Sequence, residues 1–497
     1  MTKKTNLLYL ILLFVIIIRI FAMVTFPLMD TTEARYAHIC YLMATTNDWI
    51  TPYFDVNIPF WGKPPLSYWA GAISYKIFGM HDFSARVPSL VFTLFTMYLI
   101  YKYLKTFYSK TTALWGAIIY FTFLLSFALS GAVITDPYLA FSTSLSMIAF
   151  IMVLRDQENY WKYLFFLGIA LGLLAKGPIA VVLTGGAIFL WIVFDFKNRI
   201  KELKKFPWII GTLLVLAISL PWYIIAELKT PGFLDYFIIG EHIKRFLDPS
   251  WSGDLYGTAH KKPHGEIWLL WMEASFPWGL IAIYAILKNV FSKTKLITSW
   301  NIVKENSEMS YFIMWSIFTM IFFTFAGNIL MTYILPALSP LAILLAVYLE
   351  KINFSLKVKQ YNTLYIFILF VPIVVLGLNL YALNHPNKIK TEKYLIAYYR
   401  SVAKADEPLY YLPQMQFSAQ YYSQDKMKTV LMSPEKRKKH SNTISFHQYE
   451  KQLKNNHENS FIAINKNNVV NFTSKIDRPM KKIFEDKRYI LFKVKGN

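Results

Sequence analysis

Long apolar stretches recur along most of the chain, and they constrain its fold more than any other feature. A helix that crosses a lipid bilayer needs about 20 mostly apolar residues. The apolar stretches lie near residues 7–26, 87–104, 113–131, 137–154, 163–175, 178–194, 207–226, 267–287, 310–326, 329–349 and 361–381. The chain is 55% hydrophobic and only 16% charged, which excludes an ordinary soluble enzyme. We therefore predict a polytopic α-helical membrane protein with about eleven spans.

The amino-terminal segment and the net charge are both consistent with a membrane protein. Residues 1–6 are polar and basic, and no small-residue cleavage site follows the first apolar stretch, so we expect an uncleaved span. The net charge of +22 fits lysines at a membrane surface, so we expect membrane lipids as partners and no nucleic acid. The single Cys40 excludes an intramolecular disulfide, and the sequence has no Cys/His cluster that would indicate a zinc site.

Basic residues are unevenly distributed over the loops between the spans. They are about twice as frequent in one set of alternate loops as in the other, and the richer set is expected to be cytoplasmic. The amino terminus is then cytoplasmic, whereas the loop at 27–86 and residues 382–497 lie outside. The alternating apolar runs after residue 381 predict a small soluble α/β domain, separate from a transmembrane domain over 1–381. Its basic tract at 435–440 fits a solvated loop slightly better than a contact with anionic lipid.

Charged side chains that a simple connector would not need lie in the outer loops. The first loop holds Asp30, Glu33, Arg35 and Lys63 among aromatic residues and prolines. Solvated charges and aromatic side chains at the membrane interface are the alternative explanation for this loop.

Three further outer segments carry charge, and each has an ordinary explanation as well. Asp136 precedes Pro137 at a helix start and could cap that helix. Lys176 stands between apolar runs and could reach along the membrane surface. Glu241 and Arg245 have the spacing of a surface ion pair on a helix.

Several short motifs in this order resemble one family. The segments TTEARYA (31–37), DWITP (48–52) and KPPLSYW (63–69) are similar to the first periplasmic loop of the lipid A aminoarabinose transferases. Those are membrane glycosyltransferases that use a polyprenyl-phosphate sugar and are related to the protein mannosyltransferases. The Asp-Pro pair at 136–137, AKGP (175–178), EHIKRF (241–246) and TYILP (332–336) extend the resemblance. It implies a GT-C type fold of 11–13 spans in the bacterial inner membrane, with a periplasmic active site and a periplasmic carboxyl-terminal domain.

The resemblance also implies roles for individual residues of the transmembrane domain, which then becomes the catalytic domain. Glu33 and Asp136 are the expected catalytic acids, and Asp30 fits that role only with a shift in the motif. The residues expected to bind the donor phosphate and sugar are Arg35, Tyr36, Lys63, Lys176, His242, Arg245 and Tyr333. His242 is also a metal candidate, and the resemblance leaves open whether a divalent metal ion takes part.

Two departures from the family pattern bear on the substrate. Gly62 stands where the family has the glutamate of Glu-Lys-Pro-Pro, and Asn328 stands where a lysine usually precedes the Thr-Tyr-Ile-Leu-Pro segment. The missing carboxylate at Gly62 leaves the transferred sugar open as aminoarabinose, an amino hexose or a hexose. Asn328 lacks the charge with which the family's lysine would contact the phosphate.

The resemblance favours an inverting glycosyltransferase that moves a sugar from undecaprenyl phosphate to lipid A. The alternatives are a protein or polysaccharide glycosyltransferase of the same fold, with another envelope glycan as acceptor, and a transporter or lipid flippase. Transporters carry paired charges or broken helices near mid-membrane. In this sequence the charges cluster toward one side of the membrane and the span centres are apolar, which disfavours transport.

Overall fold

The computed structural model describes residues 3–248, 251–257, 260–290, 293–353, 358–404, 407–413, 415–424, 427–431, 443–455, 459–476 and 478–496. The basic tract at 435–440 lies outside these residues. Contacts divide the chain into two compact units. We call Met1–Ala22, Trp61–Ala70 and Arg86–Leu376 the helical unit, and Met23–Phe60, Gly71–Ala85 and Gly377–Asn497 the mixed unit. The contacts place most of the first outer loop with the carboxyl-terminal residues.

Each predicted span falls on one helix or on two consecutive helices. These helices are Lys3–Thr25, Asp82–Phe107, Lys110–Thr122 with Leu124–Leu129, Asp136–Leu154, Tyr160–Lys176, Ile179–Phe194, Trp208–Lys229, Ile267–Ala274 with Gly279–Val290, Ser307–Thr324, Leu335–Asn353 and Val358–Asn384. Helices suit a membrane because they satisfy their backbone hydrogen bonds internally. Further helices are Thr32–Thr46, Leu66–Phe78, Phe196–Arg199, Arg245–Leu247, Lys293–Glu305, Lys393–Val402, Phe417–Ser423, Phe446–Asn455 and Val469–Thr473, with a π-helix at Asp235–Lys244. The prediction of a polytopic helical membrane protein is confirmed.

Not every one of these helices is long enough to cross a membrane by itself. Within the described residues, 6 are long and apolar enough, and the number rises to 8 if each of two bent pairs forms one span. The helix Ile267–Ala274 and its successor meet at an angle of 116°, with Pro277 in the break between them. Proline lacks the backbone donor that a continuous helix requires. Short and broken helices therefore account for the difference from the predicted count of about eleven.

A helical hairpin forms the centre of the helical unit. Helix Asp136–Leu154 is almost completely buried and packs along helix Tyr160–Lys176, to which a short loop joins it. The backbones approach closely at Gly168, where a Cβ atom would lie only 2.3 Å from Ser146 Oγ. Small residues allow such close packing between membrane helices. The hairpin brings the start of its first helix beside the end of its second.

The carboxyl-terminal part of the mixed unit is a mixed α/β sheet, as predicted. Its strands are β3 (Leu409–Leu412), β4 (Lys428–Leu431), β5 (Thr443–Ser445), β6 (Ser460–Asn465), β7 (Met480–Glu485) and β8 (Tyr489–Val494), and β1 (Tyr53–Asp55) and β2 (Ile58–Pro59) form a separate hairpin. The order is β5-β4-β3-β6-β8-β7, parallel from β5 to β6 and antiparallel at β8 and β7. Alternate residues of β3 fill two cores, with Tyr411 on one face and Tyr410 on the other.

Asp30 ties the first outer loop to this α/β sheet. Its carboxylate accepts hydrogen bonds from the backbone N–H of Ser418 at 2.8 Å and from the Ser418 hydroxyl at 2.5 Å. Arg488 lies 2.5 Å from the same carboxylate and 2.7 Å from Glu392. The side chains of Asp30 and Glu392 are both 0% exposed. Burial and the neighbouring Asp486 raise the pKa of the Glu392 carboxyl well above its usual range. Arg488 opposes this rise and supplies the cation that pairs with the buried Asp30 carboxylate.

Replacing Arg488 with methionine should destabilise the protein strongly. The substitution leaves the buried Asp30 carboxylate without its cation, and breaking a buried ion pair in this way costs about 3–5 kcal/mol. We expect a clear drop in the thermal unfolding midpoint of the full-length protein in detergent. Arg478→Met is the matched control, because Arg478 contacts the Lys495 carbonyl at 3.4 Å in an exposed hydrogen bond. Equal midpoints for the two variants would contradict the anchoring role of Arg488.

Candidate active site

The helical hairpin pairs two of the predicted site residues. Lys176, at the end of its second helix, places Nζ 2.6 Å from Oδ1 of Asp136, at the start of the first helix. Both side chains are largely buried. Lys176 Nζ also lies 4.7 Å from the ring centre of Tyr333, a distance suited to a cation–π contact. Asp136, Lys176 and Tyr333 therefore form one cluster.

A second pair of cations meets the buried carboxylate of Glu241. Glu241 Oε2 lies 3.1 Å from Lys63 Nζ, and Oε1 lies 3.0 Å from Nη1 of Arg245, one helical turn later. Arg245 also pairs with Asp254 at 3.3 Å. Burial alone would raise the pKa of the Glu241 carboxyl, but Lys63 and Arg245 hold that pKa below its usual value. Burial would lower the pKa of Arg245, but Glu241 and its other neighbours raise it. Glu241 and Arg245 therefore stay charged as an ion pair.

Hydrogen bonds hold the loop that carries Lys63. The backbone N–H of Trp61 donates to the hydroxyl of Tyr256 at 3.0 Å, and the Trp61 indole donates to Thr230 Oγ1 at 3.1 Å. Position 62 is a glycine, which has no carboxylate that could pair with the neighbouring Lys63. Glu241 supplies that carboxylate from a distant segment of the chain.

His242 is bonded to the backbone. Its Nδ1 lies 2.7 Å from the carbonyl oxygen of Phe237, and its Nε2 lies 3.1 Å from that of Lys176. Burial lowers the pKa of His242, while the two carbonyl oxygens oppose that fall. Across the described part of the chain, no three His, Cys, Asp or Glu side chains are grouped so that they could hold a metal ion. Through its contacts with the carbonyl oxygens of Phe237 and Lys176, His242 links the π-helix to the end of the hairpin.

A cavity of about 310 Å³ joins the two clusters within the helical unit. Its polar lining consists of Lys63, Lys176, Glu241, His242, Arg245, Asn328 and Tyr333. Its apolar lining consists of Leu139, Pro178, Ile179, Val182, Leu183, Ile238, Ile243, Phe246, Phe322 and Phe323. A site with cations at one side and hydrocarbon walls at the other suits an anionic lipid headgroup and the first part of its chain.

The remaining four predicted site residues belong to the mixed unit. Glu33 accepts a hydrogen bond from the backbone N–H of Met29 at 3.2 Å. The Arg35 guanidinium lies over the rings of Tyr36, Phe60 and Phe417, at 5.2, 5.9 and 5.7 Å from their centres. Asp30 makes the Ser418 and Arg488 contacts described above. The aromatic rings thus fix the orientation of the Arg35 side chain. The Ser418 and Arg488 contacts account for the burial of Asp30 without a role in the reaction.

Sequence reasoning missed three residues of the cavity region. Glu241 was seen only as part of a surface ion pair, although its buried carboxylate lies between two predicted site cations. Asp254 gave no signal, because it lies in an irregular loop. Asn328 was noted only as a departure from the family pattern, and the structure places it on the cavity wall.

The chain is similar to known proteins in both sequence and fold. The family model described as dolichyl-phosphate-mannose-protein mannosyltransferase matches residues 6–237. The chain is 30% identical over 360 residues to the undecaprenyl phosphate-alpha-4-amino-4-deoxy-L-arabinose arabinosyl transferase of Yersinia pestis. It is 29% identical over 322 residues to the protein of that name in Erwinia tasmaniensis. These matches bear out the motif resemblance. The chain belongs to the aminoarabinose transferase-like family.

The matches to these two relatives span only part of each protein. The alignments cover 70% and 63% of the chain, but only 61% and 54% of the Yersinia and Erwinia proteins. The chain therefore spans a little over half the length of these curated relatives.

Two solved structures have folds similar to that of this chain. ArnT from Cupriavidus metallidurans, in a structure bound to undecaprenyl phosphate, matches with a TM-score of 0.79 at 14% identity, over 98% of each chain. The oligosaccharyltransferase of Archaeoglobus fulgidus matches with a TM-score of 0.53 at 11% identity, over 84% of this chain and 64% of that one. The predicted GT-C type fold with a small carboxyl-terminal sheet domain is confirmed.

Proposed function

We propose that this protein is an inverting glycosyltransferase that moves a sugar from undecaprenyl phosphate to lipid A. One observation carries the proposal: a single cavity combines three partly buried cations with an apolar wall. A polyprenyl-phosphate sugar has the matching parts, which are one phosphate and a long hydrocarbon chain. The names of the Yersinia and Erwinia relatives and the motifs in the first outer loop support the same donor class.

The reaction is an in-line displacement at the anomeric carbon of the donor. The acceptor oxygen forms a bond to that carbon while the bond from the carbon to the phosphate oxygen breaks. The electron pair leaves with undecaprenyl phosphate, and attack from the opposite face inverts the configuration. Lys63, Lys176 and Arg245 stabilise the negative charge that develops on the departing phosphate. Arg245 offers two parallel donors, whereas the lysines act as point charges.

The carboxylates of Asp136 and Glu33 have different roles in this reaction. Asp136 holds Lys176 in the cavity through their 2.6 Å pair. Glu33 takes the proton of the acceptor or orients the donor sugar. Arg35 and Tyr36 help to bind the donor. A lipid A phosphate is already an anion and needs no base, whereas a hydroxyl acceptor does. Whether Glu33 acts as a base therefore depends on the acceptor.

The basic loops support an inner-membrane orientation with a cytoplasmic amino terminus. In that orientation the cavity, the first outer loop and the carboxyl-terminal sheet face the periplasm, where lipid A is accessible.

Mass spectrometry of lipid A from the native host tests the proposal. We expect one sugar-sized mass step on lipid A to disappear when the gene is deleted. The wild-type gene should restore the step, and a Glu33→Gln copy should not. The size of the step identifies the sugar class. If lipid A is unchanged in all samples, the lipid A assignment fails, and glycoproteins and surface polysaccharide become the acceptors to examine. The match to a protein mannosyltransferase model makes glycoproteins the first of these.

A further inference from the structure

Asn328 places an uncharged hydrogen-bond donor in the wall of the cationic cavity. Its side chain is 95% buried, since only 5% is exposed. The carbonyl oxygen Oδ1 accepts the backbone N–H of His260 at 2.9 Å, and this bond fixes which end of the amide is the nitrogen. Among the described residues, the nitrogen Nδ2 has no hydrogen-bond partner. A buried donor without a partner is unfavourable, and a bound acceptor oxygen would remove that cost.

The strand-like segment that carries Asn328 is held firmly. Its neighbours Gly327 and Ile329 exchange backbone hydrogen bonds with Lys262 and His260, at 3.0 and 3.3 Å. The amide therefore keeps its place when the cavity changes occupant.

The charges around the cavity are balanced in this structure. Three cations pair with three carboxylates, and these six side chains have a formal charge of zero. The pairs are Lys176 with Asp136, Lys63 with Glu241, and Arg245 with both Glu241 and Asp254. Because Asn328 is neutral, it adds a hydrogen bond to this set without adding charge.

The donor and the spent lipid carry different charges. A polyprenyl-phosphate sugar is a phosphodiester with one negative charge. The undecaprenyl phosphate that remains after transfer is a monoester with about −1.5 to −2 at neutral pH, by analogy with other phosphate monoesters. A balanced cavity holds the singly charged diester with less electrostatic penalty than the more highly charged monoester. A lysine at position 328 would remove that difference.

We propose that Asn328 contacts the donor and makes the cavity select the sugar-bearing phosphodiester over the spent phosphomonoester. Its Nδ2 donates to an oxygen of the bound phosphodiester, and its neutrality favours release of undecaprenyl phosphate after transfer. This inference rests on the proposed function, because it requires the cavity to bind a polyprenyl-phosphate sugar.

A charge series at position 328 tests the inference in the full-length protein. The variants are Asn328→Lys and Asn328→Asp, and the latter keeps an oxygen for the His260 N–H. The measurement is the inhibition constant of added undecaprenyl phosphate relative to the KM for the donor. We expect the lysine variant to lower this ratio about tenfold and the aspartate variant to raise it, since a charge-assisted hydrogen bond is about twice as strong as a neutral one. Asn301→Lys, on an exposed part of helix Lys293–Glu305, is the control and should leave the ratio unchanged.

The outcomes separate the inference from the proposed function. If the wild type transfers sugar and the ratio does not change along the series, the inference is wrong and the proposed function stands. If the wild type neither transfers sugar nor binds undecaprenyl phosphate, both are wrong. If a charged variant does not fold, Asn328→Ala replaces it, and an unchanged donor KM in that variant contradicts the contact.

Discussion

Replacing Lys176 with methionine is expected to lower the rate of sugar transfer by about 100- to 1,000-fold. Methionine keeps much of the side-chain volume but removes the charge that stabilises the departing phosphate. Loss of one preorganised electrostatic contact of this kind typically has an effect of that size. The rate is measured with purified enzyme and a polyprenyl-phosphate sugar at saturating concentration.

The same substitution also removes the partner of Asp136, so loss of folding must be separated from loss of chemistry. The double variant Asp136→Asn with Lys176→Met removes both charges, and we expect it to regain the unfolding midpoint of the wild type but not its activity. Lys205→Met is the matched control, because Lys205 pairs with Asp156 at 3.0 Å at a more exposed site. An active double variant would show that Lys176 has no role in the reaction.

Glu33→Gln is expected to lower transfer by about 100- to 10,000-fold, the range for loss of a general base. Glutamine has nearly the same shape and keeps an oxygen that can accept the Met29 N–H. The fold should therefore survive, and the binding of undecaprenyl phosphate should be unchanged. In this respect the variant should differ from Lys176→Met, which weakens that binding.

Glu450→Gln, in helix Phe446–Asn455, serves as the carboxylate control for this experiment. Near-normal turnover of Glu33→Gln would refute both roles proposed for Glu33. A loss of turnover that appears only with a hydroxyl acceptor would assign the base role to Glu33.

The sequence predicts where the apolar helices lie, because each needs only a continuous apolar run, but it does not reveal which of them are short or broken. It also identifies Asp136 and Lys176 as separate candidates. Their pairing depends on the hairpin, in which a loop of a few residues forces two helices to run antiparallel. Lys176 has no carboxylate near it in sequence, so composition alone could not reveal its partner.

The contacts of the first outer loop are the part that sequence could not predict. Ser418 and Arg488 lie 388 and 458 residues after Asp30 along the chain. No local pattern encodes a contact over such a distance. The α/β character of the carboxyl-terminal residues was visible in their alternating runs, but the order of the strands was not.

The attachment of Asp30 to Arg488 has a consequence for biosynthesis. Residues 30–36 leave the ribosome early, yet the bonds that fix them cannot form until residue 488 has been made. Contacts between such distant residues form late in folding. The segment that carries Glu33 and Arg35 therefore reaches its final form only in a nearly complete chain. A nascent or prematurely terminated chain would insert its first helices without having this segment fixed.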